Sequence, residues 1–133
     1  MVKYTSDLDT KVPKIDEQHK ELFNRINDIV ALGAKSVSKE ETDKTFKLLG
    51  DYIVKHLKDE EELQRKAGYP KYEEHRKLHK IFVDTFHKLK AEYDKNGPSA
   101  TFTLQVNKSV IEWIVKHIKT ADAELGKFLR EKS

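Results

Sequence analysis

Several features that would indicate common classes of protein are missing from this sequence of 133 residues. It contains no cysteine, which excludes disulfides, thiolate metal ligands and cysteine nucleophiles. No apolar run approaches the roughly 18 residues that a membrane span needs. The first ten residues also lack the apolar core of a signal peptide. The sequence therefore predicts a cytoplasmic protein without a membrane span.

Neither sign of charge dominates the chain. The 26 basic and 23 acidic residues are interspersed and leave a formal net charge of only +3. A protein that binds nucleic acid or a membrane surface is expected to carry a stronger imbalance, so the composition disfavours both functions. Charged residues make up 37% of the chain. They predict well-solvated outer faces and therefore favour a monomer.

Only three prolines and five glycines interrupt the chain. They separate segments in which apolar residues recur at alternating steps of three and four, the period of helices that bury one face. The pattern predicts helices over 16–33, 38–66, 70–93 and 99–117, and a short C-terminal helix over 122–131. Short loops between them indicate an all-α, up-down-up-down antiparallel four-helix bundle with an N-terminal arm. We expect one domain over 1–133.

Local signals support these helix ends. Asp16 is a favoured N-cap residue, and Ser38 with Glu41 forms a capping-box pattern. Gly68 is a helix stop, and Pro70 suits the first turn of the next helix.

The most informative residues are polar ones at positions that should face the core. Five of the six histidines occupy such positions, at least one on each helix, whereas His87 should point outward. Glu60 lies on the same stripe of the second helix. A single core histidine is usually satisfied by a hydrogen bond, but a buried carboxylate without a partner costs several kcal/mol. The whole set therefore predicts a metal site, which would include His19, His56, Glu60, His75, His79 and His117.

The spacing of these residues supports a shared site. His56 and Glu60 are four residues apart, as are His75 and His79, so each pair lies on one face of its helix. In an antiparallel bundle these two pairs fall at a similar depth. His19, near the beginning of the first helix, and His117, at the end of the fourth, lie at the same end of the bundle.

The number of ligands favours two ions. Two octahedral ions offer about 12 positions, and five histidines, two bridging carboxylates and a bridging oxide fill about 11 of them. Asp122 is the best candidate for the second carboxylate. On a regular helix it would lie about 140° away from His117, so the helix must bulge, unwind or end between them. From spacing alone, a role for Asp122 as N-cap of the C-terminal helix is equally compatible.

The residues in this order resemble the hemerythrins, and most closely the single-domain bacterial hemerythrins (bacteriohemerythrins). The resemblance covers nearly the whole chain. The matching segments are residues 15–19 (Ile-Asp-Glu-Gln-His), His56-x-x-x-Glu60, Tyr69-Pro70 before His75-x-x-x-His79, and Trp113-x-x-x-His117-Ile118-x-x-x-Asp122.

The resemblance implies a non-heme di-iron centre that binds dioxygen reversibly, for storage, delivery or sensing. It implies that the ions are ferrous without oxygen and ferric in the oxygenated and oxidised forms, with a bridging oxide or hydroxide. One iron would bind His75, His79 and His117, and the other His19 and His56 with one position open, while Glu60 and Asp122 bridge the two. The apolar walls of the oxygen pocket would be Leu22, Leu57, Trp113, Ile114 and Ile118.

Three positions depart from the family pattern. Tyr4 stands where a tryptophan is usual, Lys11 where a glycine is common, and Leu57 where an aromatic residue follows the histidine. The first two concern the N-terminal arm, and the third concerns the size of the oxygen pocket.

Other functions are compatible with parts of the sequence. The main alternative is a di-iron oxidase or peroxidase, or an iron-handling protein. No Glu-x-x-His occurs, however, and the histidine-rich site favours oxygen binding, with at most weak side activity. A zinc hydrolase is disfavoured because no His-Glu-x-x-His occurs. The recipient of the oxygen, an oxygen-requiring enzyme or a signalling partner, stays open.

Overall fold

The computed structural model describes residues 2–132, and all of the regular structure in this range is helical. A short 3₁₀ turn lies in the N-terminal arm. The last three α-helical segments follow one another without a loop, joined by π-helical turns at Asn107–Ile111 and Ile118–Asp122. The α-helices are α1 (Pro13–Ala31), α2 (Lys39–Ala67), α3 (Tyr72–Asn96), α4 (Ala100–Val106), α5 (Glu112–His117) and α6 (Ala123–Lys132).

The predicted helical bundle is confirmed. From α1 to α4, each helix packs against the next, and α4 also contacts α1, which closes the bundle. The helices α2 and α3 run antiparallel: Asp43 near the start of α2 pairs with Lys90 near the end of α3, and Glu61 pairs with His79 further along.

The buried faces follow the predicted periodicity. Most of the predicted core positions are buried, from Ile15 on α1 to Val110 in the first π turn. His87 is exposed, as predicted. The predictions were less accurate for Leu63, Tyr72 and Trp113, which are half-buried. Gln64, next to Leu63, is the fully buried residue at the end of this stripe, with 0% of its surface exposed.

Two predicted helix ends of α2 are confirmed. The Ser38 hydroxyl accepts the Glu41 amide at 3.1 Å, which satisfies one of the free donors of the first turn. Gly68 follows the helix with φ +70°, a conformation that glycine adopts without steric cost.

The predicted N-cap of α1 is wrong. The helix begins at Pro13, whose fixed φ suits the first turn. Asp16 lies inside that turn, and its carboxylate accepts the amide and hydroxyl of Thr10 and the amide of Lys11. Lys11 has φ +64°, which gives a physical reason why a glycine would be common at this position.

The predicted break before the C-terminal helix is also absent. The Ala123 amide donates to the carbonyl of Ile118, five residues earlier, so the backbone passes through a π turn into α6. Asp122 therefore does not cap a separate helix.

The N-terminal arm packs onto this continuous rod. Leu8 is 4% exposed and belongs to the main hydrophobic cluster, which includes Ile118. A Cβ atom on Gly126 would lie 2.7 Å from the Thr10 carbonyl oxygen, so only a glycine allows the arm to approach this closely.

Candidate metal centre

The structure brings all seven predicted ligand residues to one buried place inside the bundle. The side chains come from α1, α2, α3 and the π turn with its preceding helix, and the most exposed of them, His117, is only 6% accessible. The seven residues are His19, His56, Glu60, His75, His79, His117 and Asp122.

These residues form two groups that share two members. In each group, one nitrogen or oxygen atom from every residue lies within 4.8 Å of the others. The two carboxylates, Glu60 and Asp122, belong to both groups. The larger group adds His75, His79 and His117, and the smaller adds His19 and His56.

Each carboxylate divides its two oxygens between the groups. Glu60 Oε1 lies 3.2 Å from the Nε2 atoms of both His75 and His79, whereas Oε2 lies 3.4 Å from that of His56. This is the arrangement of a carboxylate placed between two centres of positive charge.

Asp122 repeats the division. Its Oδ1 lies 2.9 Å from His75 Nε2 and 3.1 Å from His117 Nε2, while Oδ2 lies 3.0 Å from His19 Nε2. The Nε2 atoms of His75 and His117 are themselves only 2.9 Å apart. The two rings therefore direct the same nitrogen towards a common point.

The π turn explains how Asp122 reaches the site. A regular helix would turn the residue five positions after His117 away from the core. The extra residue in the π turn reduces this rotation, and both side chains are buried. Among the structures that the sequence left open, the bulge is the one observed.

Many polar atoms of this cluster make no hydrogen bond of suitable geometry, although several face one another at 2.9–3.2 Å. Among the described residues, the buried side-chain atoms without one are both nitrogens of His19, both oxygens of Glu60 and of Asp122, His79 Nε2 and Gln64 Oε1. All but the last belong to predicted ligands. Leaving so many buried polar atoms unpaired is costly. Imidazole and carboxylate donors suit a first-row metal ion, so the residues fit a pair of such ions.

The other nitrogen of three histidines faces a polar residue. His56 Nδ1 is 2.8 Å from Gln18 Oε1, and His79 Nδ1 is 2.9 Å from Glu61 Oε2. Such contacts fix the ring and leave Nε2 for a metal.

The third contact, between His75 and Gln64, depends on the orientation of the Gln64 side-chain amide. His75 Nδ1 lies 3.1 Å from Gln64 Nε2, and the amide oxygen is unpaired. A half-turn of the amide would place its oxygen against the ring, as required when His75 Nδ1 carries a proton.

Sequence reasoning gave no role to these outer residues. Gln18 precedes a predicted ligand, Glu61 follows one, and Gln64 lies four residues after Glu60 on the same stripe. A search for polar residues at these offsets would have found them. Asp59, which accepts from Gln18 at 2.8 Å, directly precedes the predicted ligand Glu60 and would be found by the same search.

The electrostatics of the cluster differ between its two sides. Burial lowers the pKa of His56 to about 4, although Glu60 nearby acts in the opposite direction. Burial also disfavours the charged form of His75, but the carboxylates of Asp122 and Glu60 outweigh it and raise the His75 pKa to about 9. Burial disfavours the charged form of Asp122, but the neighbouring His117, His19 and His75 hold the pKa of its carboxyl well below the usual range.

The predicted pocket walls lie in one hydrophobic cluster. Leu22, Leu57, Ile114 and Ile118 are at most 8% exposed, and the half-buried Trp113 packs against the same cluster. The Trp113 ring stacks on His117 with centroids 4.6 Å apart and an angle of 11°. Trp113 therefore contacts the three-histidine group directly.

A closed helical bundle holding two histidine groups that share two carboxylates defines a class, the helical proteins with a candidate binuclear metal centre. Residues 10–129 match the family model described as the hemerythrin HHE cation binding domain. The chain belongs to the hemerythrin family.

Named relatives agree with this assignment. The chain is 36% identical to a myohemerythrin of Theromyzon tessulatum over 109 residues, which cover 82% of this chain and 78% of the relative. It is 30% identical to a bacteriohemerythrin of Methylococcus capsulatus over 124 residues, 91% of this chain and 90% of the relative. It is also 32% identical to a myohemerythrin of Sipunculus nudus over 108 residues, covering 81% and 77%. No helix of residues 2–132 is long and apolar enough to cross a membrane.

Proposed function

We propose that this chain binds dioxygen reversibly at a non-heme di-iron centre, for storage, delivery or sensing. The observation that carries the proposal is the division of Glu60 and Asp122 between two histidine groups. Membership of the hemerythrin family supports iron as the metal and dioxygen as the ligand.

The two groups support a division of the ligands between two ions. His75, His79 and His117 would hold one iron, His19 and His56 the other, and Glu60 and Asp122 would bridge them. When bound, the iron pair supplies the two-electron redox chemistry by which dioxygen is taken up and released. The group with His19 and His56 supplies one imidazole fewer, which leaves room for a small ligand on that side.

The protein's own residues keep this ligand in dry surroundings. Leu22, Leu57, Ile114 and Ile118 pack in the cluster around the site, and none of these side chains can donate a proton. Excluding water and acids disfavours irreversible oxidation of the metal, since the apolar shell controls solvent access and redox behaviour. Apolar packing therefore contributes to function here.

Nothing in the described residues favours the alternative of a di-iron oxidase or peroxidase. The site contains five histidines and two carboxylates, whereas ferritin-like di-iron proteins combine glutamates with Glu-x-x-His. We further propose that residues 1–133 act as one domain in the cytoplasm, as a monomer. An oxygen-requiring enzyme or a signalling protein would then be the recipient.

Metal analysis combined with an oxygen cycle tests the proposal. The chain, loaded anaerobically with ferrous iron, should hold about two irons under the octahedral count. Its visible absorption should change on exposure to oxygen and return under vacuum over repeated cycles. A spectrum that changes once and never returns would favour the oxidase, and a chain that holds no iron would contradict both.

A further inference from the structure

One amide links the candidate metal centre to a residue at the protein surface. Gln18 is only 7% exposed. Its oxygen lies 2.8 Å from His56 Nδ1, and its nitrogen donates to Asp59 Oδ2 at 2.8 Å. The two ends of the amide therefore serve two different partners.

The chemistry of the partners fixes the direction of this chain of hydrogen bonds. A carboxylate only accepts, so Asp59 must face the amide nitrogen of Gln18. The amide oxygen then faces His56, and because this oxygen also only accepts, His56 Nδ1 must carry the proton. The remaining ring nitrogen, Nε2, keeps its lone pair and lies 3.4 Å from Glu60 Oε2 in the smaller group.

We propose that Asp59 is a positioning residue that acts through Gln18 to hold His56 with its proton on Nδ1 and its Nε2 free for a metal ion. This inference rests on the proposed function, because His56 is one of two histidines assigned to the iron with the open position. Without Asp59, the amide of Gln18 can turn over and offer its nitrogen to the ring, which would favour a proton on Nε2.

Asp59 also pairs with Lys55. A contribution of this ion pair to the stability of α2 must be distinguished from the positioning of His56. Lys55 Nζ lies 3.2 Å from Asp59 Oδ2, four residues apart on α2, where Lys55 is exposed and Asp59 half-buried. The same helix contains a matched pair, Lys47 and Asp51, with the same spacing and a separation of 2.9 Å. Both side chains of this second pair are exposed, so Asp51→Ala removes a surface ion pair.

The experiment uses the full chain loaded with zinc, a diamagnetic probe for the same nitrogen and oxygen donors. Nitrogen-15 NMR identifies which ring nitrogen of His56 is protonated, and solvent exchange measures how firmly that proton is held. In the unmodified chain we expect the proton on Nδ1, with slow exchange. Asp59→Ala should raise its exchange rate by about 10-fold, whereas Asp51→Ala should not.

A swapped pair tests the direction of the hydrogen bonds. In the double variant Gln18→Glu with Asp59→Asn, the new carboxylate accepts from His56 Nδ1 and the new amide donates to that carboxylate. Slow exchange should return, although the charge at position 59 is gone. A role of Asp59 in helix stability alone predicts no such rescue.

A second measurement uses iron retention instead of NMR. Asp59→Ala should release one of the two irons to a chelator on the order of 10-fold faster than Asp51→Ala, and the swapped pair should restore retention. Equal behaviour of Asp59→Ala and Asp51→Ala, a proton on His56 Nε2, or a chain that holds no zinc would overturn the inference. Failure of the oxygen cycle alone would overturn the proposed function and leave the role of Asp59 in metal binding standing.

Discussion

Asp122 Oδ2 lies 3.0 Å from His19 Nε2, so the second π turn contacts α1 inside the candidate metal centre. Both side chains are at most 1% exposed. The contact joins residues far apart in the chain. It requires the π turn that follows His117, because a regular helix would direct Asp122 elsewhere.

Replacing Asp122 tests whether this contact reflects a bridge between two metal ions. Asp122→Asn keeps the volume of the side chain and removes its charge. We expect the variant to hold iron on the order of 10- to 100-fold less tightly, as measured by competition with a chelator. Asp84→Asn, which removes an exposed partner of Lys80, is the matched control and should retain iron normally.

The two kinds of histidine in this chain should behave differently. His56→Ala removes a buried ring of the smaller group and should abolish one iron or its reversible oxygen spectrum, because a ligand cannot be replaced by a methyl group. His87→Ala, at an exposed position, should do neither. If metal analysis and oxygen cycling gave the same result for both variants, the division between buried and exposed histidines would have no functional meaning.

The pocket side of the site can be tested at Leu57, which is 8% exposed. Leu57→Gln brings an amide and water towards the bound metal, and irreversible oxidation should accelerate on the order of 10-fold. Leu57→Phe keeps the wall apolar and should slow oxidation or leave it unchanged. The decay of the oxygenated absorption measures both rates. Val54→Gln, at a position 52% exposed on the same helix, should match the unmodified chain.

Docking of the N-terminal arm depends on Gly126. Gly126→Ala places a methyl group 2.7 Å from the Thr10 carbonyl oxygen, and the resulting shift should lower the free energy of unfolding by about 1–3 kcal/mol. Thermal unfolding measures this loss. Lys127→Ala, at the exposed neighbouring position, should have little effect. A variant at Gly126 as stable as that control would show that the arm can move without cost.

The metal-free chain should lose stability as the pH rises from about 6.5 to about 9. Burial opposes the charged form of His75, but the carboxylates raise its pKa from the ordinary 6.5 to about 9 in the folded chain. His19 and His79 shift in the same direction. A group with a raised pKa stabilises the fold fully below its unfolded pKa, and this contribution disappears as the pH passes the folded value.

Denaturant unfolding at several pH values measures this effect. In the zinc-loaded chain the trend should reverse, because protons compete with the metal for the imidazole nitrogens and this competition weakens as the pH rises. A metal-free chain whose stability is flat over this range would contradict the assigned charge of the cluster. His87→Gln should leave both profiles unchanged.

Much of the fold follows from local patterns. Periodicity decides which side chains of a helix share a face, so the burial of His19, His56 and His79 was predictable from their spacing. The helix end at Gly68 was predictable for a similar reason, since its signal lies within a few residues of it. The start of α1 was not, because Asp16 combines cap chemistry with a place inside the first turn, where it binds the arm.

By itself the sequence determined that histidines from all four helices of the bundle, and Glu60 from the second, are directed inward, and its ordered motifs indicated the hemerythrins. Only the tertiary structure decided how each carboxylate divides its oxygens, that the backbone bulges before Asp122, and that Gln18 joins His56 to Asp59. The physical reason is that helical periodicity fixes the direction of a side chain around its own axis. Distances between atoms on different helices depend on how all the helices pack together.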